Sequence, residues 1–391
     1  MYRKYTQEFI DLVKADEKLE KLLVKSINKA KKQVADRNMN PAQTLDQLYD
    51  FLEWAEESSP WNILKYIDQS RPYLLERIDQ SLNYFYFLFD QELSELRNSE
   101  QYRPSLQYYP AVAKWIARFT KKWGEWLSKP DSWTEEYYKI AILDKKFGLN
   151  EDWYESPSNW QSFNDFFSRR LKNKTARPIS ESDVVSPADS KPQGVWSINK
   201  NSNIINSDNE DDDFVDIKSQ YFTSVESLIG PNSKYKKDFA GGSLTHTILE
   251  VHDYHRYHFP VSGTVKEINY IPGLVSIGGL VIWDNLQKKY VLISKSTNWQ
   301  SIQTRATVIV ETKKFGLVAL IPVGMSQISS INFEASVKLG MMAKKGDPLG
   351  WFLFGGSDFV IIFQNKFKVN LIPDIDKHIL MGEAYATLSK V

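Results

Sequence analysis

Residues 351–364 read WFLFGGSDFVIIFQ, two apolar runs parted by Gly355, Gly356, Ser357 and Asp358. Each run is short, aromatic and β-branched, the composition of a strand buried on both faces. The simplest join between two such strands is a hairpin. Paired glycines and a Ser-Asp step supply positive φ values and local side-chain hydrogen bonds. The same four residues admit a sharper reading, a backbone that cuts itself, which needs partners elsewhere in the chain.

Strand grammar spreads outward from this stretch through the second half. GTVKEINYI (263–271), LVSIGGLVIW (274–283), KYVLIS (289–294), ATVIVET (306–312) and GLVALIPV (316–323) are short and separated by Gly, Pro or Asn. Residues 1 to about 150 follow a different period. Phe9, Leu12, Val13, Leu19, Leu22, Leu23 and Ile27 approximate one face of a first helix. Leu45, Leu48, Tyr49, Leu52 and Trp54 mark a second. Further helices are predicted from Pro72 to about Leu96 and from Pro110 to Leu127, each with proline in the first turn. Ser132 with Glu135 reads as a capping box opening one more, stopping at Gly148. Eight of the twelve tryptophans lie between Trp54 and Trp160, which favours a packed aromatic core over a ligand pocket. The expectation is an α+β protein: an all-helical N-terminal domain (1–157), then a mainly β domain (158–391).

Composition narrows the function classes. Of 391 residues, 42% are apolar and 25% charged, an ordinary globular balance. Lys plus Arg equals Asp plus Glu at 49 each, so no global field recruits nucleic acid. The absence of cysteine excludes disulfides, thiolate metal sites and a Cys nucleophile, and is compatible with a cytoplasmic location. YFYFLF (84–89), the densest apolar block of the first half, is far shorter than the roughly 20 residues of a membrane span, so none is expected. NSDNEDDDF (206–214) lacks the turn glycine of a calcium loop and reads as a solvated surface loop.

Four of the five histidines, His246, His252, His255 and His258, fall within THTILEVHDYHRYH (245–258). The spacing of three between the last three suits a metal site only on a helix. Here the aromatic and β-branched neighbours read as strand and turn, and no second cluster stands at ligand spacing, so no metal is expected. Packed or exposed imidazoles remain an alternative. A third reading makes one imidazole a base and another an acid. Ser357 is then the candidate nucleophile and Asp189, in VVSPADS, the candidate orienting carboxylate.

Five segments in order resemble the phosphatidylserine decarboxylase family of pyruvoyl enzymes. They are SFNDFFSRRLKNKTARPI (162–179), VVSPADS (184–190), DIKSQYFTSVESLIG (216–230), HDYHRYHFPVSGTV (252–265) and GDPLGWFLFGGSDFVIIFQ (346–364). The resemblance covers roughly residues 158–391. It implies self-cleavage between Gly356 and Ser357, with His258 as base and Asp189 as its partner, and His255 serving decarboxylation. It also implies a pyruvoyl cofactor made from Ser357, which takes the substrate amine as a Schiff base. Two positions depart from the family pattern: Ser190 stands where glycine is usual, and Asp358 where threonine is common. They motivate an alternative, an unprocessed and non-catalytic scaffold. TRATVIV (304–310), VGMSQISS (323–330) and KKWGEWLSKPDSW (121–133) are similar to the branch with an added helical domain, which includes soluble tryptophan decarboxylases. The resemblance thus implies a carboxy-lyase for phosphatidylserine at a membrane periphery, with a free aromatic amino acid as the alternative substrate, and a homodimer.

Overall fold

The opening apolar stripe is shared by two helices in the computed structural model, which describes residues 2–56, 74–97, 101–205, 224–293, 298–325 and 330–390. α1 (Lys4–Ala15) stops at Asp16, whose carboxylate accepts the Leu19 N–H at 3.0 Å and so caps α2 (Glu17–Gln33). Apolar spacing alone runs through that cap, because both helices bury their stripes in one core. α3 (Leu45–Ala55) is capped by Thr44. α4 (Leu74–Phe89) ends before the predicted Leu96, which lies in a separate 3-10 turn; the predicted start at Pro72 is outside the described residues. α5 (Pro110–Leu127) has the predicted bounds. α6 (Glu135–Leu143) is capped by Thr134 rather than Ser132. The Ser132 hydroxyl instead donates to Leu127 O (3.0 Å) and accepts the Phe163 N–H (2.9 Å), tying α5 to α7 (Phe163–Phe167). A short α8 (Val225–Ile229) lies within the β half.

The strands in chain order begin with β1 (Val184–Val185), β2 (Lys191–Ile198), β3 (Ile204–Ile205), β4 (Ser243–Leu249) and β5 (Arg256–His258). Next come β6 (Gly263–Ile271), β7 (Leu280–Asp284), β8 (Lys289–Ile293), β9 (Arg305–Thr312) and β10 (Gly316–Met325). The last are β11 (Ile331–Phe333), β12 (Met342–Ala343), β13 (Pro348–Phe352), β14 (Gly356–Phe363), β15 (Phe367–Leu371) and β16 (Ala384–Lys390). The expected α+β architecture is therefore present, and the acidic stretch 206–214 falls outside the described residues.

An eight-stranded antiparallel sheet, ordered β12-β6-β9-β10-β14-β4-β2-β3, forms the central layer. Phe359, Ile361 and Phe363 of β14 point to one face, where they pack with Tyr257, Leu349, Phe352, Tyr385 and Ala386 of two small sheets, β11-β13-β5 and β1-β16-β15. Val360 and Ile362 point to the other, under α8 and Trp299. Covering both faces explains why the strands read as unbroken apolar runs.

The hairpin expected at Gly355-Gly356 is not formed. β13 pairs with β5 and β11, whereas β14 lies between β10 and β4. The chain leaves one layer and enters another across Leu353, Phe354 and Gly355. Gly355 adopts φ 146°, a conformation costly for any residue with a Cβ.

The β7–β8 hairpin leaves the β layers to pack with the helices. Val281 and Tyr290 share the buried cluster built from α1 to α5. Gln80 on α4 donates to Tyr290 O (2.8 Å) and accepts its N–H (2.6 Å), and the Tyr290 hydroxyl donates to Met39 O (2.7 Å).

Candidate active site

Ser357 is fully buried in β14, paired with Gly324 of β10 and Leu249 of β4. Side chains alternate along a strand, so it shares a face with Phe359 and is directed toward the layer that carries β5. Its Oγ has no hydrogen-bond partner among the described residues. Buried hydroxyls are normally satisfied, and an orphan two residues after the strained Gly355 asks for a functional account. Thr247, opposite Phe359 on β4, lies on the same face and its hydroxyl is likewise buried without a partner.

Asp358 occupies the opposite face. Its carboxylate meets His246 Nδ1 at 3.0 Å and accepts from Gln300 Nε2 at 2.9 Å, while His246 stacks on Trp196. The departure from threonine therefore points away from Ser357. Ser190, the other departure, turns its hydroxyl to Ala188 O (3.1 Å) and exchanges backbone hydrogen bonds with Ile379. Its φ is not positive, so no glycine is required there.

The two expected catalytic histidines bracket β5, which pairs with the strand entering the Gly355 crossing. His258 Nδ1 donates to Gly346 O at 2.9 Å. A carbonyl only accepts, so Nδ1 holds the proton and Nε2 offers its lone pair, which receives the Tyr254 hydroxyl at 3.1 Å. Burial lowers its pKa to about 4, against the opposing pull of the Gly346 hydrogen bond and the Asp189 charge. His255 is fixed the same way, Nδ1 donating to Asp253 O at 2.9 Å, and its ring stacks on Phe167 with centroids 3.7 Å apart. Burial, reinforced by the Arg169 charge, holds it well below the usual histidine range. His255 Nε2 is buried and unpartnered, like Ser357 Oγ. The same Phe167 packs on Phe354, and the Phe352 N–H donates to His255 O (2.9 Å), so His255 shares its surroundings with the chain approaching Ser357.

Asp189 is placed differently from expectation. Arg177 Nε donates to its Oδ1 (2.9 Å), Arg177 Nη2 to its Oδ2 (2.6 Å), and the Met381 N–H to Oδ1 (2.8 Å). The guanidinium fork matches a carboxylate better than an imidazole does, so Asp189 reaches His258 through its charge rather than by a hydrogen bond. The segment is nonetheless held beside β5, because the His258 N–H donates to Pro187 O at 2.8 Å.

Sequence reasoning did not single out Arg177, Arg169, Tyr254, Phe167 or Thr247. Arg169 is fully buried and donates to His252 O (2.7 Å) from above the Tyr154 ring. A signal was present: three arginines, Arg169, Arg170 and Arg177, stand in an otherwise ordinary polar stretch behind the aromatic run FNDFF.

The family model described as phosphatidylserine decarboxylase matches residues 163–387. The phosphatidylserine decarboxylase proenzyme of Fusobacterium nucleatum subsp. nucleatum is 31% identical over 285 residues, 68% of this chain and 83% of that protein. Phosphatidylserine decarboxylase proenzyme 2 of Oryza sativa subsp. japonica is 31% identical over 266 residues, 66% of this chain and 38% of that one. The phosphatidylserine decarboxylase proenzyme of Haemophilus ducreyi is 28% identical over 293 residues, 71% of this chain and 90% of that protein.

Proposed function

The chain belongs to the phosphatidylserine decarboxylase family, a family of carboxy-lyases, and from that premise we propose that it cleaves itself between Gly356 and Ser357 and decarboxylates phosphatidylserine to phosphatidylethanolamine. The observation that carries this reading is Ser357 Oγ, buried without a partner among the described residues, two positions after Gly355 at φ 146°. The hydroxyl attacks the Gly356 carbonyl carbon, the C–N bond breaks, and the Ser357 nitrogen takes a proton. Loss of the Ser357 Cα proton then expels Gly356 as a free carboxylate. The dehydroalanine left behind tautomerises and hydrolyses with release of ammonia, so that residue 357 becomes a pyruvoyl group.

The surroundings fit such a group: a buried face with fixed neutral imidazoles and no side chain at 355 or 356. Its ketone supplies an electrophile that condenses with the substrate amine and draws electrons from Cα as carbon dioxide leaves. His258, with its lone pair on Nε2, is the base that takes the hydroxyl proton once Tyr254 gives way. Arg177 holds Asp189 beside it as the stabilising negative charge. His255, whose Nδ1 proton is held by Asp253 O, takes a proton from the substrate ammonium on its unpartnered Nε2 and returns it to Cα after decarboxylation.

A lipid substrate has to be met at a bilayer surface. Leu339 and Met342 are 68% and 59% exposed, among the exposed Lys338 and Lys344. The pairing of apolar and basic side chains suits an anionic interface. The same loop ends at Gly346, whose carbonyl orients His258. No helix among the described residues is long and apolar enough to cross a membrane. Carbon dioxide release should be measured from phosphatidylserine vesicles and from free tryptophan side by side. Release from vesicles with formation of phosphatidylethanolamine is expected; release from tryptophan alone, or from neither, would contradict the proposal.

A further inference from the structure

Three of the five histidines are accounted for: His255 and His258 belong to the site above, and His246 holds Asp358. The other two, His252 and His378, converge on Asp253 from 126 positions apart in the sequence (378 − 252). His378 Nε2 lies 2.7 Å from Asp253 Oδ1, and His252 Nε2 lies 3.4 Å from the same oxygen. Glu250 Oε2 adds a second carboxylate 3.7 Å from His252 Nε2. One donor atom from each of His252, Asp253 and His378 falls within 4.8 Å of the others. Histidine spacing along the sequence offered no completing ligand. The fold supplies it, because the exchange of backbone hydrogen bonds between Ser190 and Ile379 pins His378 beside the turn after β4.

We propose that His252, Asp253 and His378, with Glu250 at the rim, form a binding site for one zinc-like divalent cation. Two imidazoles and carboxylate oxygens are the donor set zinc accepts, and hard-cation chemistry does not favour paired imidazoles. Metal–ligand bonds of about 2.0–2.1 Å in a tetrahedron place neighbouring donors about 3.3 Å apart, so these atoms need shifts of only about 1 Å. A second feature favours a ligand over a plain hydrogen-bonded cluster. His252 is 7% exposed, and its Nε2 faces two carboxylate oxygens, Asp253 Oδ1 at 3.4 Å and Glu250 Oε2 at 3.7 Å, without a hydrogen bond to either among the described residues. A cation between them satisfies all three atoms at once. Lys191 occupies only Glu250 Oε1, at 2.8 Å, leaving Oε2 toward His252.

An ion here would brace the turn whose carbonyls serve the neighbouring site, since Asp253 O orients His255 and His252 O receives Arg169. The binding itself does not depend on cleavage at Ser357, so the Ser357→Ala protein should take up metal like the wild type. The test uses the full chain, freed of metal with chelator and dialysed against Zn2+, then against Co2+. One equivalent of zinc per chain is expected, together with the visible ligand-field absorption of cobalt in a low-coordinate N/O site. His378→Gln, at a partly exposed position, should weaken uptake at least tenfold while leaving the circular dichroism spectrum unchanged. Asp253→Asn should do the same. Failure of the wild type to hold zinc, or equal uptake by the wild type and His378→Gln, would overturn the site. Were both variants to misfold, the wild-type cobalt spectrum would decide: octahedral aquo-type absorption overturns the assignment and an intense low-coordinate spectrum upholds it.

Discussion

Ser357 and His255 present two buried heteroatoms without a hydrogen-bond partner among the described residues, and the proposed chemistry rests on them. Their roles separate by experiment. His255→Ala removes the imidazole proposed to serve Cα but leaves Ser357, Gly356 and His258 in place. Two fragments should still form, while turnover falls about a hundredfold or more. An uncleaved His255→Ala chain would instead make His255 the base of the first reaction. At this scale residue type alone singles out Ser357, His255, His258 and Asp189 as candidates, and the fold buries all four. The partner of Asp189 was not legible. Whether a carboxylate meets an imidazole or a guanidinium depends on which side chain reaches it, and Arg177 reaches it through a turn that no spacing rule describes. The effect of Asp358 was equally hidden, because strand parity sends it to His246 and Gln300, away from Ser357.

Among the elements, the connection between β13 and β14 is where local preference and the fold diverge. Gly-Gly-Ser-Asp has turn chemistry, yet the two strands it joins belong to different sheets, and only long-range pairing with β5 and with β10 and β4 decides that. Helix bounds were legible where a proline or an unbroken stripe marks them, as in α5, and were missed where a cap interrupts a continuous stripe, as at Asp16. The β7–β8 hairpin shows why the boundary expected at 157/158 is an incomplete description of packing. Its Tyr290 backbone is bonded in both directions by Gln80 of α4. Gln80→Ala leaves a buried N–H without its partner and should cost about 2 kcal/mol. Urea unfolding measures the loss. An unchanged midpoint would mean that the hairpin and the helices are energetically separate.

The whole molecule places its neutral imidazoles inside, and this gives its stability a pH dependence of definite sign. His258 titrates near 6.5 when unfolded and about 4 when folded, because burial disfavours the charged form. The unfolded chain therefore binds the extra proton first. The contribution is fully present above pH 6.5 and is lost as pH falls toward 4, a change of roughly 3 kcal/mol. His255 acts in the same direction. His378, raised by its hydrogen bond to Asp253, opposes them, contributing below pH 6.5 and losing that contribution as pH rises through its folded value. Unfolding midpoints should fall between pH 7.5 and 4.5, and His258→Gln should flatten the slope; identical slopes in the two proteins would contradict the burial argument. The most direct measurement on the whole chain is the intact mass of freshly purified, denatured protein, with Ser357→Ala beside it. Two fragments, residues 1–356 and a pyruvoyl-capped 357–391, are expected from the wild type, and one full-length chain from the variant. A wild-type chain of single, unmodified mass would contradict the account.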